Sequence, residues 1–514
     1  MLNLSPRNYQ KAIFETAKKK NTLAVLPTGV GKTLIAIMLA HHRIKEHPAK
    51  KILVLAPTKP LVEQHLNSFK SQTHELYADV QMFTGAINAQ ARKKLWNTSD
   101  IIISTPQCVA NDLRNYLYDL KDTSLLIIDE AHRCLKNYDY NFIAKQYKQQ
   151  AENQLILGLT ASPGHEKQII EQICKNLNVE EVEMRTRESA DVRPYLQNLE
   201  FNKIEVPFPE EFAQIRNLLK SIYEKKIEQL KSRNLLFGPV NKVTLLQLQK
   251  KLSAQAHSGN FNILIGLSLS AQAIKISHAV ELLETQTLSG FKDYLDNLTK
   301  QAKEKKSKGV QTIVNSVEFQ TSLLLLKKLQ ENKTEHPKIE ELKTLIESEF
   351  QNNEKAKIIV FSQYRETANT ISKKLNGLNN VKAKIFIGQA KKTLSSNGEK
   401  SGLSQKEQKQ IIDQFRNNEI NVLCATSIGE EGLDIPEVSA VYFYEPIPSA
   451  IRKIQRTGRT ARLQPGKLTI LITKDTRDVA HHYASTAREK KMYRAISDIK
   501  SDLKNKTKTL DDFK

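Results

Sequence analysis

Three short segments of this 514-residue chain carry side chains suited to handling a triphosphate. The first is AVLPTGVGKTL, Ala24–Leu34. Gly29 and Gly31 let backbone N–H groups approach phosphate oxygens, and the helical pattern that follows, LIAIMLAHH, offers the positive end of its dipole. Thr28, Gly29, Val30 and Gly31 would form the cradle, Lys32 would meet the β and γ phosphates, and Thr33 would hold Mg2+. The general phosphate-loop pattern asks for a glycine where Leu26 stands. Leu26 reads as the buried end of a strand, with Pro27 and Thr28 starting the turn. The second segment is LLIIDEAH. Asp129 follows an apolar strand and is placed to bind Mg2+ through water, and Glu130 to polarise the attacking water. The third is QRTGRTAR, Gln455–Arg462. Arg459 and Arg462 are three residues apart, share a face if helical, and could reach a γ-phosphate from a second domain. Taken singly, each has a bland explanation: a glycine turn, an acidic pair at a strand end, two surface arginines.

The elements around these segments remove that ambiguity for the first two. From residue 1 to about 195, the runs TLAVLP, KILVLAP, DIIISTP, SLLIIDE and QLILGLT alternate with helical patterns. Near-continuous apolar runs of this length read as parallel strands buried on both faces, and βαβ units put chemistry beyond the carboxyl ends of the strands. From 200 to 335 strand-like runs vanish and helical spacing dominates, as in EEFAQIRNLLKSIYEKKIEQLK, so a helical domain is expected, with a basic stretch QAKEKKSK that alone reads as a solvated face. Strand–helix alternation returns from 338 to 485 with KIIVFSQ, VKAKIFIG, INVLCAT, AVYFYEP and LTILIT. KKTLSSNGEKSGLS inside it reads as a polar loop. Residues 486–514 read as a basic helix and tail.

The formal net charge of +22 favours a polyanionic partner. Four scattered cysteines with no Cys-x-x-Cys suggest neither a zinc site nor a disulfide framework, which fits a reducing, cytoplasmic setting. The N-terminus has no apolar signal core, and the best apolar run, FNILIGLSLSAQAI, is interrupted by polar residues and reads as too short to cross a bilayer. A soluble protein is expected.

The ordered segments RNYQ (Arg7–Gln10), PTGVGKT, APTKPLVEQH, STPQ, DEAH, TAS, IIVFSQYR, ATSIGEEGLDIP and QRTGRTAR resemble the motifs of superfamily-2 helicases across nearly the entire chain. The helical insert, VLPTGVGKT, IFIGQA (Ile385–Ala390) and AREKKMYRAI narrow the resemblance to the archaeal Hef and Fanconi-anaemia M-type translocases, which remodel forked and branched DNA. The resemblance implies two RecA-like parallel-sheet domains, ATP and Mg2+ as cofactors, and DNA as partner. Arg7, Tyr9 and Gln10 would read the adenine. Gly432 and Asp434 would line the interdomain nucleotide site, and Gln455, Arg459 and Arg462 would complete it. Thr160 and Ser162 would couple hydrolysis to strand movement, while Thr58, Thr105, Ser362 and Thr426 would touch one strand's phosphates. Dicer-like and innate-immune double-stranded RNA helicases share much of the pattern and are the alternative. An ATP-switched clamp-like binder is disfavoured by intact Lys32, Glu130 and Arg459, and an iron–sulfur helicase by the single Cys108 between Lys32 and Asp129.

Two departures from the family stand out. Ala461 replaces a usual glycine, and no Glu-Arg-Lys nuclease core is found, which points to a stand-alone motor, a subunit whose nuclease is a separate chain, or a chain from which the nuclease was removed. The tail TKTLDDFK places Leu510 and Phe513 at the spacing of a sliding-clamp-binding peptide, with Thr507 at the usual glutamine; a frayed polar end is the stronger reading.

Overall fold

The computed structural model describes residues 5–72, 78–258, 260–389, 392–394, 399–426, 435–447, 449, 454, 456–457, 460 and 465–511. The first 184 residues build a seven-stranded parallel sheet. Its strands are β1 (Thr22–Val25), β2 (Lys51–Leu55), β3 (Val80–Phe83), β4 (Ile101–Ser104), β5 (Thr123–Ile128), β6 (Ile156–Thr160) and β7 (Glu181–Met184), in the order β3-β4-β2-β5-β6-β1-β7. β5 is buried along its whole length because helices cover both faces of the sheet. The helices are α1 (Asn8–Ala17), α2 (Lys32–Glu46), α3 (Lys59–Gln72), α4 (Ala89–Thr98), α5 (Pro106–Arg114), α6 (Asp139–Gln150) and α7 (Lys167–Asn176). They enclose two apolar cores, one on each side of the sheet.

Next comes a strand that the sequence reading missed. Residues Leu199–Val206 form β8, which pairs in parallel with the strand at Gly466–Thr473. The expectation of an all-helical segment from 200 is therefore corrected. As an edge strand, β8 has Glu200, Lys203 and Glu205 facing out and leaves no continuous apolar run. The helical bundle then follows: α8 (Glu210–Ser232), α9 (Lys242–Ala254), α10 (Phe261–Thr285), α11 (Leu288–Lys303), α12 (Lys308–Val314) and α13 (Val317–Glu331). It is thus an insertion within the second domain. α10 is longer than its apolar run suggested. At 25 residues and a mean hydropathy of 1.4 it is long and apolar enough to cross a membrane, but half of that window is buried within the protein.

The second domain resumes with α14 (Pro337–Asn352), β9 (Ile358–Phe361), α15 (Arg365–Leu375) and β10 (Ala383–Phe386). The segment read as a polar loop contains a hairpin, β11 (Lys392–Leu394) antiparallel to β12 (Glu399–Ser401). After α16 (Gln405–Arg416), capped by Ser404 and Glu407 in a capping box, come β13 (Val422–Ala425), β14 (Ala440–Phe443) and β15 (Gly466–Thr473). The second sheet is parallel, in the order β10-β13-β9-β14-β15-β8.

The C-terminal helix, Arg477–Asp511, begins in the second domain and ends on the first. Met492, Ala495, Ile496 and Ile499 follow the three-and-four spacing of one helical face and are buried in the first domain's core with Ile170, Ile173 and Val182. Lys167–Asp502 and Lys500–Glu183 ion pairs flank that contact.

Candidate functional site

β1 delivers the phosphate loop. Leu26 is fully buried, and its N–H donates to Thr160 O (3.0 Å), extending the pairing of β1 with β6 by one residue. Gly29 (φ 83°) and Gly31 (φ 77°) both occupy the left-handed region, and α2 starts at Lys32. A methyl group at Gly31 would come within 2.7 Å of Gln10 Nε2. Lys32 Nζ donates to the loop carbonyls of Leu26 (3.2 Å) and Pro27 (3.4 Å). The loop is held from beneath by α1. Gln10 Nε2 donates to Val30 O (3.3 Å) and Gly31 O (3.1 Å), and the Tyr9 hydroxyl donates to Val30 O.

Those bonds correct one expectation. Tyr9 is completely buried and its hydroxyl is engaged, so its ring is not free to face a base. Its part is to set the height of the loop. Of the three residues only Arg7 is partly open; its guanidinium lies 5.0 Å from the centre of the Tyr195 ring and donates to the Tyr9 hydroxyl (3.2 Å).

Asp129 closes β5 across the loop from Lys32. One carboxylate oxygen faces His65 Nε2 at 2.9 Å and the other accepts from Glu130 N–H at 2.9 Å. Burial alone would raise this carboxyl's pKa. The hydrogen bond and charge of His65, with the Lys32 charge, outweigh it and hold the group below its ordinary value. A buried carboxylate kept ionised near the Lys32 charge, with the Thr33 hydroxyl on the adjoining first turn of α2, is a donor set that fits Mg2+, which is typically held by one or two protein ligands with phosphate and water supplying the rest. Among the described residues no cluster of three or more His, Cys, Asp or Glu competes for a metal.

Glu130 is held in the left-handed conformation (φ 50°, ψ 51°), which is costly for a residue with a side chain. The turn brings its carboxylate to 3.2 Å from His132 Nδ1. That same ring nitrogen is hydrogen-bonded to Thr160 Oγ1 (3.2 Å), which in turn accepts from Ser162 N–H (3.2 Å). Ser162 Oγ donates to Met492 Sδ (2.9 Å) on the C-terminal helix. His132 Nδ1 therefore lies between Glu130 and Thr160, and Ser162 meets Thr160 through its backbone N–H and the last helix through its hydroxyl.

A cavity of about 1060 Å3 opens between the two sheets beside these groups, lined among others by Pro27, Thr28, Arg187, Thr457 and Tyr493. It is slightly above the usual size of small-molecule sites.

The structural matches fit this geometry. Residues 7–170 match the DEAD/DEAH box helicase family, 211–333 an ATP-dependent RNA helicase helical-bundle family, and 337–464 the helicase conserved C-terminal domain. The crystal structure of the Pyrococcus furiosus Hef helicase domain is 42% identical, superimposes with a TM-score of 0.71, and is covered over 98% of its length by 93% of this chain. The chain belongs to the Hef and Fanconi-anaemia M-type family of superfamily-2 helicases. The ATP-dependent DNA helicase mph1 of Neurospora crassa is 32% identical over 92% of this chain and 41% of its own length. An ATP-dependent RNA helicase of Methanocaldococcus jannaschii is 36% identical over 96% of this chain and 61% of its own length. The chain thus spans roughly half the length of these curated relatives.

Set in this helicase frame, the expected strand-contacting residues form two pairs. Thr58 and Thr105 follow the adjacent strands β2 and β4, and Ser362 and Thr426 follow the adjacent strands β9 and β13. Ser362 corrects a second expectation: it is fully buried, its hydroxyl donates to Tyr364 O (3.2 Å) and its N–H to Ala425 O (3.0 Å), so it has no group to offer a phosphate. Thr426 is nearly buried. Gly432, Asp434, Gln455, Arg459, Ala461, Arg462 and Phe513 lie outside the described residues. Their neighbour Arg456 is buried, with its guanidinium 4.7 Å from the Phe361 ring centre on β9.

Three further polar or polarisable side chains could not be placed from the sequence. His65 sits on α3's buried face with Val62 and Phe69, a spacing that could have flagged it. Met492 lay within a recognised family segment but had no visible partner. Glu445, at the end of β14, accepts from Gln363 N–H, and burial first, then the Asp478 charge, push its carboxyl up to about 7 against the pull of Lys338 and Arg456.

Proposed function

We propose that this chain is an ATP-driven DNA translocase that remodels forked or branched DNA in repair and in the restart of replication. The observation that carries the reading is the grouping at the ends of β1, β5 and β6: Lys32 in a cradle set by two left-handed glycines, an ionised Asp129, and Glu130 facing His132, which is bonded to Thr160. The similarity to the Hef helicase domain supplies the substrate class. Mg2+, when bound, would neutralise phosphate charge, held by Thr33 and Asp129. Lys32 would leave its loop carbonyls for the phosphates. Glu130, held ready by its turn, would orient the attacking water. Arg459 and Arg462 would engage from the second domain as the cleft closes, so that closure gates hydrolysis. Thr58, Thr105 and Thr426 would hold one strand through its phosphates, which makes binding salt-sensitive and sequence-independent. A separate nuclease and a sliding clamp bound by the tail are further partners of this reading.

The second reading, a double-stranded RNA-dependent ATPase, is favoured by the name of the M. jannaschii relative. ATPase rates measured with single-stranded DNA, duplex, forks, four-way junctions and double-stranded RNA separate the two. The greatest stimulation is expected from forks or junctions. RNA-selective stimulation would replace the first reading with the second, and no stimulation by any nucleic acid would sink both.

A further inference from the structure

Residues 185–198 connect the first sheet to β8, and none of the motifs singled out in the sequence falls within them. They are nevertheless pinned to the first domain. Arg185 N–H donates to Val25 O (3.0 Å), and its Nε donates to Asp191 Oδ2 (2.7 Å). Val192 is fully buried in the core that also holds Tyr9, Leu26 and Val30. Tyr195 and Leu196 pack half-buried against the same core. Three residues beyond Tyr195, Asn198 O accepts from Gly466 N–H (3.0 Å) and the chain enters the second sheet. Arg193, Leu196 and Asn198 line the cavity between the sheets together with Pro27 and Thr28 of the cradle.

Tyr195 is where this connector meets the support of the phosphate loop. The Arg7 guanidinium lies over the Tyr195 ring, 5.0 Å from its centre, and the Tyr9 ring meets Tyr195 edge-on at 5.9 Å. Arg7 also donates to the Tyr9 hydroxyl (3.2 Å), which donates to Val30 O. Arg7 is therefore two hydrogen bonds from the cradle. Gln10 is committed to the cradle as well. Its Nε2 donates to Val30 O and Gly31 O, its Oε1 accepts from Arg7 N–H (2.8 Å), and it is 2% exposed. With Tyr9 and Gln10 buried and engaged, Arg7 is the residue of the three with surface left for the base of a bound nucleotide.

A guanidinium is planar and stacks on aromatic rings and on bases. An arginine free in solvent would give up its rotamer freedom each time a base stacked on it. Tyr195 removes that cost by holding the Arg7 guanidinium from one side and leaving the residue half-exposed on the other. We propose that Tyr195 is a positioning residue of the nucleotide site: it backs the Arg7 guanidinium so that its outer face is a ready platform for the base of the nucleoside triphosphate. The inference rests on the proposed ATP-driven function. It adds how the base is held while Tyr9 and Gln10 support the cradle, and it puts that support on the connector between the two sheets.

The test uses the full chain carrying Tyr195→Ala and, as the conservative control, Tyr195→Phe. Calorimetric titration with Mg2+ and no nucleic acid compares ADP with inorganic tripolyphosphate, which can fill the cradle but has no base. Tyr195→Ala should weaken ADP binding roughly tenfold, as expected for one lost stacking contact, and leave tripolyphosphate within about twofold. Tyr195→Phe keeps the ring and should bind both as the unmodified chain does. In hydrolysis stimulated by single-stranded DNA, Tyr195→Ala should raise the KM for ATP by about the same factor, with kcat within about twofold. Equal weakening of ADP and tripolyphosphate would overturn the proposal, because Tyr195 would then only prop the cradle. Unchanged ADP binding in Tyr195→Ala would overturn it too, as would a loss in Tyr195→Phe as large as in Tyr195→Ala. Failure of the motor reading is separate: the unmodified chain would then show no hydrolysis stimulated by any nucleic acid, whatever the titrations report.

Discussion

The two parallel sheets have the same architecture and opposite chemistry at their strand ends. In the first, Asp129, Glu130, His132, Thr160 and Ser162 form an open relay bordering a cleft. In the second, several of the described groups at and beside the strand ends are closed off. Ser362 is buried, Arg456 lies over Phe361, and Lys338 and Asp478 form a fully buried ion pair. That sealed side faces the bundle, to which it is tied by Arg477 with Glu284, by Thr367 with Gln286 (2.8 Å) and by Ser289 with Thr370 (2.9 Å). The first sheet is built to bind and release a ligand, and the second to carry the bundle as one body. Among the described residues, the C-terminal helix and Ile454 reach from the second domain to the core of the first.

The largest effect should come from breaking the seal. Lys338→Ala leaves Asp478 buried without its cation, at a cost of about 3–5 kcal/mol. Calorimetry should show the transition of the second domain and bundle moving down while that of the first domain stays. A single joint shift would mean that the two halves are not separate bodies. Opening the comparison from the other side, Lys32→Ala should lower stimulated ATPase by roughly a hundredfold or more, about 3 kcal/mol in transition-state terms, with melting unchanged.

A third measurement uses Glu445. Folding raises its carboxyl from the ordinary 4.5 to about 7, so the folded state holds the proton more tightly than the unfolded chain. Its stabilising contribution is complete below the ordinary value and is lost as pH rises through about 7, with a slope of up to about 1.4 kcal/mol per pH unit. Glu445→Gln should flatten that part of the stability profile between pH 5 and 8; an unchanged slope would show that another group is responsible. The smallest effect concerns the bridge. Met492→Leu conserves volume and should cost under about 1.5 kcal/mol. It removes the sulfur that accepts from Ser162, so DNA unwound per ATP should fall while the KM for ATP holds. An unchanged ratio would reduce Met492 to packing.

How much of this was legible follows from where each signal lives. The phosphate loop and Asp129 could be read because unbroken apolar runs end at them, and a strand buried on both faces announces itself in composition. β8 could not, because an edge strand with Glu200 and Glu205 outside looks like loop or helix. The spacing of Met492, Ala495, Ile496 and Ile499 announces a buried face but not which domain buries it; that is fixed only by the partners Ile170, Ile173 and Val182, hundreds of residues upstream. Tyr9 and Ser362 had the right types in the right motifs, and only packing shows that their polar atoms are already engaged.

One consequence of the interrupted second domain concerns the order in which the chain leaves the ribosome. β8 emerges long before the strand it pairs with, since Leu199 lies opposite Gly466. While the bundle is being made, β8 is an unpaired edge, and its outward charges guard it against pairing with another chain. The first sheet meets its last helix later still, once Met492 to Ile499 arrive to cover its core. An ATP-binding half can therefore form before the helix that links it to the second domain has been made, which delays coupled hydrolysis until Met492 to Ile499 have emerged.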